Sequence, residues 1–209
     1  LTADPILCAD VHKVFQQITG MGKKIHPKLI IHAPFSMRKS IVKMIKHEKQ
    51  TALNGKPARI IAKLNALTDP AVIKELYEAS SAGVQIELIV RGVCCLKPKI
   101  PRVSENIRVI SVVGRFLEHS RVYYFLNANH PVYCSSADWM ERNLSNRIEV
   151  CFPVLGNKLA NRIIKELEIH INTKGQSWEL QANGEYKELT FDAKEPDAQN
   201  ILLNQLAQV

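Results

Sequence analysis

Two short stretches of this chain hold residue types suited to a phosphoryl group. In GRFLEHSRVYYF (114–125), His119 and Arg121 stand two residues apart. The stretch reads as a strand over 119–126. Side chains alternate faces along a strand, so the spacing predicts both on one face. Imidazole can attack phosphorus or shuttle a proton near neutral pH. Guanidinium can neutralise phosphate oxygens in a two-pronged geometry. Close behind, SSADWMERN (135–143) supplies a turn carrying Ser135, Ser136 and Asp138.

The elements that must position these residues are legible around them. ARIIAKLNAL (58–67) reads as a strand. Asp69 then caps a helix with Pro70 in its first turn, and Val72, Ile73, Leu76, Tyr77 and Ala79 form its apolar face. Gly83 ends it, and VQIELIVRG (84–92) alternates as a second strand. Strand, helix, strand at this spacing predicts a parallel pair, and ligands bind beyond the carboxyl ends of such strands. Those ends carry Lys63, Asn65 and Arg91. A basic loop (93–106) with Lys97, Lys99 and Arg102 lies beside them. Further strands are expected over 107–113, 131–136 and 147–154, and an amphipathic helix over 157–172.

Upstream, a helix is expected over 8–19, with Val11, Val14, Phe15 and Ile18 inward. A basic turn (20–28) and a strand (29–33) follow. Ser36 is a candidate cap for a helix over 37–53, whose face of Arg38, Lys39, Lys43, Lys46 and Lys49 reads as solvated. Downstream, Asn183-Gly184 predicts a hairpin within 177–189. A last helix over 196–208 is expected to turn Leu202, Leu203 and Leu206 inward.

Composition sets the frame. With 209 residues, the chain can bury one substantial core. Hydrophobic residues make up 46% and charged residues 23%, an ordinary globular balance. No apolar run approaches the roughly 20 residues of a bilayer span, and there is no signal-peptide pattern. The chain opens on Leu1, which suggests a trimmed protein or a piece of a longer one. A formal net charge of +8 points to an anionic partner. Five cysteines, an odd number mostly in apolar surroundings, suggest buried thiols in a reducing compartment. No metal-ligand spacing is present. The expected location is the cytoplasm, either free or peripheral to the inner membrane.

His119-Ser120-Arg121 followed by Ser135-Ser136-Ala137-Asp138 resembles a half-site of the phospholipase D superfamily. That pattern has Lys where this chain has Arg121, Asp where it has Leu126, and Asn where it has Asp138. Longer stretches are more specific. KPARIIAKLNALTDPAVIKELYEASSAGVQIELIVRGVCCLKP (56–98), SENIRVISVVGRFLEHSRVYYF (104–125) and SSADWMERNLSNRIEVCFPV (135–154) resemble the carboxy-terminal catalytic domain of bacterial polyphosphate kinases.

The resemblance implies a phospholipase D-like α/β domain over 1–173, a mixed sheet flanked by helices, with a hairpin-and-helix extension over 174–209. It implies ATP or ADP and polyphosphate as substrates, and a homo-oligomeric intact enzyme with no specific nucleic-acid partner. It also implies a preceding domain that carries the histidine to be phosphorylated and the residues supporting Mg2+. On this basis His119 is the assisting histidine near the transferred phosphate. Arg91 and Arg147 contact the nucleotide phosphates. Arg121, Ser135, Ser136, Asp138, Lys63 and Asn65 are further candidates for the phosphate site.

The residues also allow other readings. Arg91 could pair with Glu87 or Glu118, and Arg121 could orient Glu118 or Asp138. The half-site could serve a phosphodiesterase or nuclease acting as a homodimer. The positive charge could serve a non-catalytic module that binds polyanions.

Overall fold

Residues 59–90 fold as the expected strand, helix and strand. β2 (Arg59–Leu64) and β3 (Gln85–Val90) are parallel and joined by α3 (Pro70–Ser81). The Asp69 carboxylate accepts from Val72 N at 3.0 Å, and Gly83, at φ +96°, ends the helix. The computed structural model describes residues 2–20, 26–189 and 196–207. Of the basic turn expected at 20–28, residues 21–25 lie outside the described residues, as does the last position of the helix expected to 208.

The other elements are α1 (Pro5–Ile18), β1 (Ile31–Ala33), α2 (Met37–Leu53), β4 (Ile107–Val112), β5 (Arg121–Phe125), β6 (Val132–Ser135), α4 (Glu141–Ser145), β7 (Glu149–Pro153), α5 (Asn157–Asn172), β8 (Ser177–Leu180), β9 (Tyr186–Glu188) and α6 (Ala198–Leu206). The strands form one mixed sheet in the order β1-β7-β6-β5-β2-β3-β4-β8-β9. β2, β3 and β4 run parallel, and the other pairings are antiparallel. The hairpin of the tail therefore extends the same sheet.

Alternation along the strands makes two cores. Ile60, Ala62, Leu88, Val90 and Val109 face Met37, Ile41 and Ile45 of α2 and Val72 and Leu76 of α3. Ile61, Ile89, Ile110, Val122 and Tyr124 face Ala160, Leu167 and Ile171 of α5. Lys63 shares the face of Ile61 by the same alternation, which aims it at the α5 side.

Four expectations need correction. His119 is not on a strand, because β5 starts at Arg121. To extend the pairing of β2 with β5, Asn65 and Ala66 would have to face Ser120 and His119. Their backbone N–H groups instead donate to the Asp138 carboxylate, which ends the ladder. The strand expected from residue 29 starts at Ile31, since the backbone N–H groups of Lys28, Leu29 and Ile30 all donate to Asp10 of α1. Of the apolar face expected on α1, only Val14 is buried; Val11, Phe15 and Ile18 are exposed along an open groove of about 420 Å³. Finally, Leu203 and Leu206 of α6 are exposed, and the helix buries Ala198 and Gln199 instead.

Two smaller differences concern α2 and the cysteines. Ser36 makes no side-chain cap; its hydroxyl donates to His32 O at 3.2 Å. The basic face of α2 is partly neutralised by Arg38–Asp69, Lys46–Glu75 and Lys49–Glu78 pairs. All five cysteines are free thiols; Cys151 is buried, whereas Cys8 and Cys95 are exposed.

Candidate phosphate site

The topology gathers most of the candidates at one edge of the sheet. β2 and β3 end there, at Asn65 and Arg91. β5 and β7 run antiparallel to their neighbours, so they start there, after His119 and Arg147. β6 ends there, at Ser135 and Ser136.

Asp138 organises the centre of this edge. Its Oδ1 accepts from Asn65 N at 2.7 Å, Ala66 N at 3.1 Å and Arg121 Nε at 3.1 Å. Its Oδ2 accepts from Arg121 Nη2 at 2.8 Å. The Arg121 guanidinium is held above its usual pKa, first by the Asp138 hydrogen bond and against the effect of burial. Of the two orientations open for Arg121, the structure takes Asp138. The charge expected on substrate is therefore spent within the protein. Arg121 still reaches His119, donating from Nη1 to its backbone O at 3.0 Å, and Nη2 lies 3.4 Å from Nε2. The imidazole itself is exposed.

Arg91 stands apart from Glu87 and Glu118. Glu87 pairs with Arg59, and Glu118 pairs with Lys63. Arg91 donates from Nε to Asn65 Oδ1 at 2.7 Å, while its terminal nitrogens make no hydrogen bond or ion pair among the described residues. Asn65 thus aims a guanidinium fork past the end of β3.

Lys63 is drawn inward. It is 4% exposed, donating to Ser120 Oγ at 2.7 Å and pairing with Glu118 Oε2 at 2.8 Å. Its charge does not face solvent. Burial raises the Glu118 pKa, yet the Lys63 hydrogen bond and charge bring it below the usual carboxylate range. His170 of α5, 3.8 Å from Glu118, is pushed down to about 4 by burial and then by the Lys63 charge. Glu118, Ser120, His170 and Gln199 were not singled out from sequence as parts of a site. The available signals were a lysine inside the apolar run of β2 and a histidine on the apolar stripe of α5, with Ile163 and Leu167.

Ser135 and Ser136 serve the junction of β6 and β7. The Ser135 hydroxyl donates to Val150 O at 3.1 Å, and the Ser136 hydroxyl donates to Glu149, whose other oxygen accepts from Asn143 at 2.6 Å. Arg147 is exposed on the far side. Four strand spacings separate β7 from β3, roughly 19 Å of sheet, so the strand framework does not bring Arg147 and Arg91 together. Trp139 is fully buried beside Tyr123, a packing role.

The donor set does not suit a divalent cation. Asp138, Glu118 and Glu149 are each engaged by protein partners, and no group of three or more His, Cys, Asp or Glu residues among the described residues could hold a metal. No helix among the described residues is long and apolar enough to cross a membrane.

Comparison with known families supplies the decisive finding. The family described as "Polyphosphate kinase C-terminal domain 2" matches residues 29–199. The chain belongs to this family. It is 54% identical over 210 aligned positions to a polyphosphate kinase of Pseudomonas aeruginosa, covering 99% of this chain and 30% of that protein. Against the polyphosphate kinase of Pseudomonas syringae pv. tomato it is 56% identical over 187 positions, covering 89% and 25%. The chain thus spans about a third or less of these relatives' length. The crystal structure of polyphosphate kinase from Porphyromonas gingivalis superposes with a TM-score of 0.93 at 37% identity, over 99% of this chain and 32% of that one. Nuc from Salmonella typhimurium, a phospholipase D family member, superposes at 0.51 over 73% of this chain and 96% of its own, at 16% identity. That last likeness concerns the fold alone, which is phospholipase D-like. The homodimeric hydrolase and polyanion-module readings gain nothing from these relatives. Nor does the geometry reproduce a His-x-Lys strand with a free cation.

Proposed function

We propose that this chain forms one wall of the phosphoryl-transfer site of a polyphosphate kinase. The intact enzyme moves the terminal phosphate of ATP onto a histidine of a neighbouring domain of the same polypeptide. It then passes that phosphate to the end of a polyphosphate chain, reversibly. In this reading residues 1–173 are the catalytic unit and 174–209 its extension. The intact protein is a cytoplasmic homo-oligomer, or lies peripheral to the inner membrane, and has no specific nucleic-acid partner. Mg2+ belongs to the ATP substrate and to the neighbouring domain.

The reading rests on one observation. Where β2 and β3 end, a guanidinium whose terminal nitrogens have no partner among the described residues is held by Asn65, and His119 stands exposed at the same edge. A triphosphate meeting a polyphosphate end crowds several negative charges. Fixed positive groups offset that repulsion and stabilise charge on the transferring oxygens. Arg91 binds nucleotide phosphates, and His119 contacts the transferred phosphate or protonates its leaving oxygen. Arg147 serves a more distant part of the substrate. Lys63, Asn65, Arg121, Ser135, Ser136 and Asp138 hold these groups in place.

Two measurements test this. In the intact enzyme His119→Ala lowers polyphosphate synthesis by about 100-fold or more, the usual scale for a lost acid–base group. Near-normal turnover removes His119 from the mechanism. The 209-residue chain alone acquires no stable label from γ-labelled ATP, and a stable label on it overturns the assignment of the nucleophile elsewhere.

A further inference from the structure

The loop that carries His119 is fastened from both sides of that residue. Glu118 and Ser120, its chain neighbours, both bind the buried Lys63 ammonium, at 2.8 Å and 2.7 Å. A second fastening comes from the far end of the sequence. Gln199, in the first turn of α6, is 5% exposed and spends its amide entirely on this loop. Its Oε1 accepts from Phe116 N at 2.8 Å, and its Nε2 donates to Phe116 O at 2.7 Å. The same Nε2 donates to Glu118 Oε1 at 2.8 Å.

This amide acts like one residue of a neighbouring strand, reading both backbone groups of Phe116. Burying an amide is unfavourable unless its donors and acceptor are matched. Here they are matched, and such a buried polar group specifies one arrangement more sharply than an apolar contact does. The docking of α6 has the same character. The helix buries Ala198 and Gln199 while Leu203 and Leu206 stay exposed, so its docked end carries the amide rather than the leucines. Gly114 is a further sign of close fit. A Cβ there would meet Gln199 Oε1 at 2.5 Å and Gln176 Oε1 at 2.5 Å.

We infer that Gln199 is a positioning residue for His119, holding the 114–120 loop through Phe116 and Glu118 so that the imidazole stays at the phosphate edge. The tail of the chain is then part of the site's scaffold, although its sequence carries no reactive group there. The inference rests on the reading of His119 proposed above, but the fastening itself can be measured without turnover.

The experiment uses the intact polyphosphate kinase containing this segment, with Gln199→Ala, Gly114→Ala and His119→Ala as variants. His119 is carbethoxylated with diethyl pyrocarbonate, and its rate is followed by peptide mass spectrometry alongside kcat and KM for ATP. Loosening the loop raises the His119 modification rate in Gln199→Ala. It also lowers kcat by about tenfold with KM for ATP within about twofold, as expected for a group that acts on the transition state through another. Gly114→Ala retains the amide and displaces it, so it moves both readouts the same way and decides the question should Gln199→Ala not fold. Unchanged His119 modification and unchanged kcat in a folded variant overturn the inference. If His119→Ala abolishes turnover while Gln199→Ala does not alter it, only the positioning role fails. If His119→Ala leaves turnover intact, the catalytic reading fails, and the modification rate still decides whether Gln199 holds the loop.

Discussion

Replacing Asp138 with Asn tests the centre of the site most directly. The carboxylate joins three pieces of chain: the end of β2, the start of β5 and the turn after β6. Asp138 and Arg121 are both largely shielded, at 6% and 13% side-chain exposure. Asn can still accept from Asn65 N and Ala66 N, so the β2 end is retained. Its amide nitrogen, however, faces Arg121 Nη2, donor against donor, and the guanidinium loses its counter-charge. Breaking a shielded ion pair from one side costs about 3–5 kcal/mol. Taking the lower figure, because two backbone bonds survive, the chain loses about 3 kcal/mol. For a chain of this size that lowers Tm by about 6–12 °C. Asp138→Ala also strands the Asn65 and Ala66 N–H groups and falls further. Arg121→Ala combined with Asp138→Ala is less damaging than the two single losses added, since the residues share one interaction. Thermal unfolding of the four variants beside the parent measures all of this. A Tm for Asp138→Asn within about 2 °C of the parent refutes the argument, because it corresponds to less than about 1 kcal/mol.

Arg91→Lys keeps a positive charge but loses the Nε bond to Asn65 and the two-pronged donor geometry. It raises KM for ATP by about tenfold in the intact enzyme, and an unchanged KM argues against a phosphate contact. Acid sensitivity should follow His170 and Glu118. His170 is neutral in the fold down to about 4, against 6.5 as a free side chain, so the unfolded chain binds more protons between those values. Stability from this group is complete above 6.5 and is lost as pH falls toward 4. The depressed Glu118 adds a loss in the same direction, in the carboxylate range, as pH falls through its folded pKa. Tm measured from pH 7 to 4.5 therefore declines, and His170→Phe declines less steeply; equal slopes refute the role of His170.

The parallel unit was readable because local chemistry and burial agree there. Asp69, Pro70 and Gly83 mark the ends of α3, and apolar alternation marks β3. The stretches around His119 and Ser135 meet at one edge of the sheet, because strand ends and turns follow from local pattern. What failed was the assumption that a pattern continues. The alternation through residues 119–126 does not reveal that Asp138 takes the N–H groups that a longer β2 ladder would have used. Nor do the leucines of α6 reveal that an amide would be buried in their place.

The sequence by itself determined the family, the parallel strand pair and the residue types able to meet phosphate. Only the tertiary structure decided how those types divide their labour. Arg91 and Arg121 are the same side chain, yet among the described residues one keeps its terminal nitrogens uncommitted and the other gives them to Asp138 and His119. A charge acts on a ligand only if no protein partner has already taken it. Partners 17 to 83 residues apart in the chain, such as Arg121 with Asp138 and Gln199 with Phe116, meet only when the sheet is assembled.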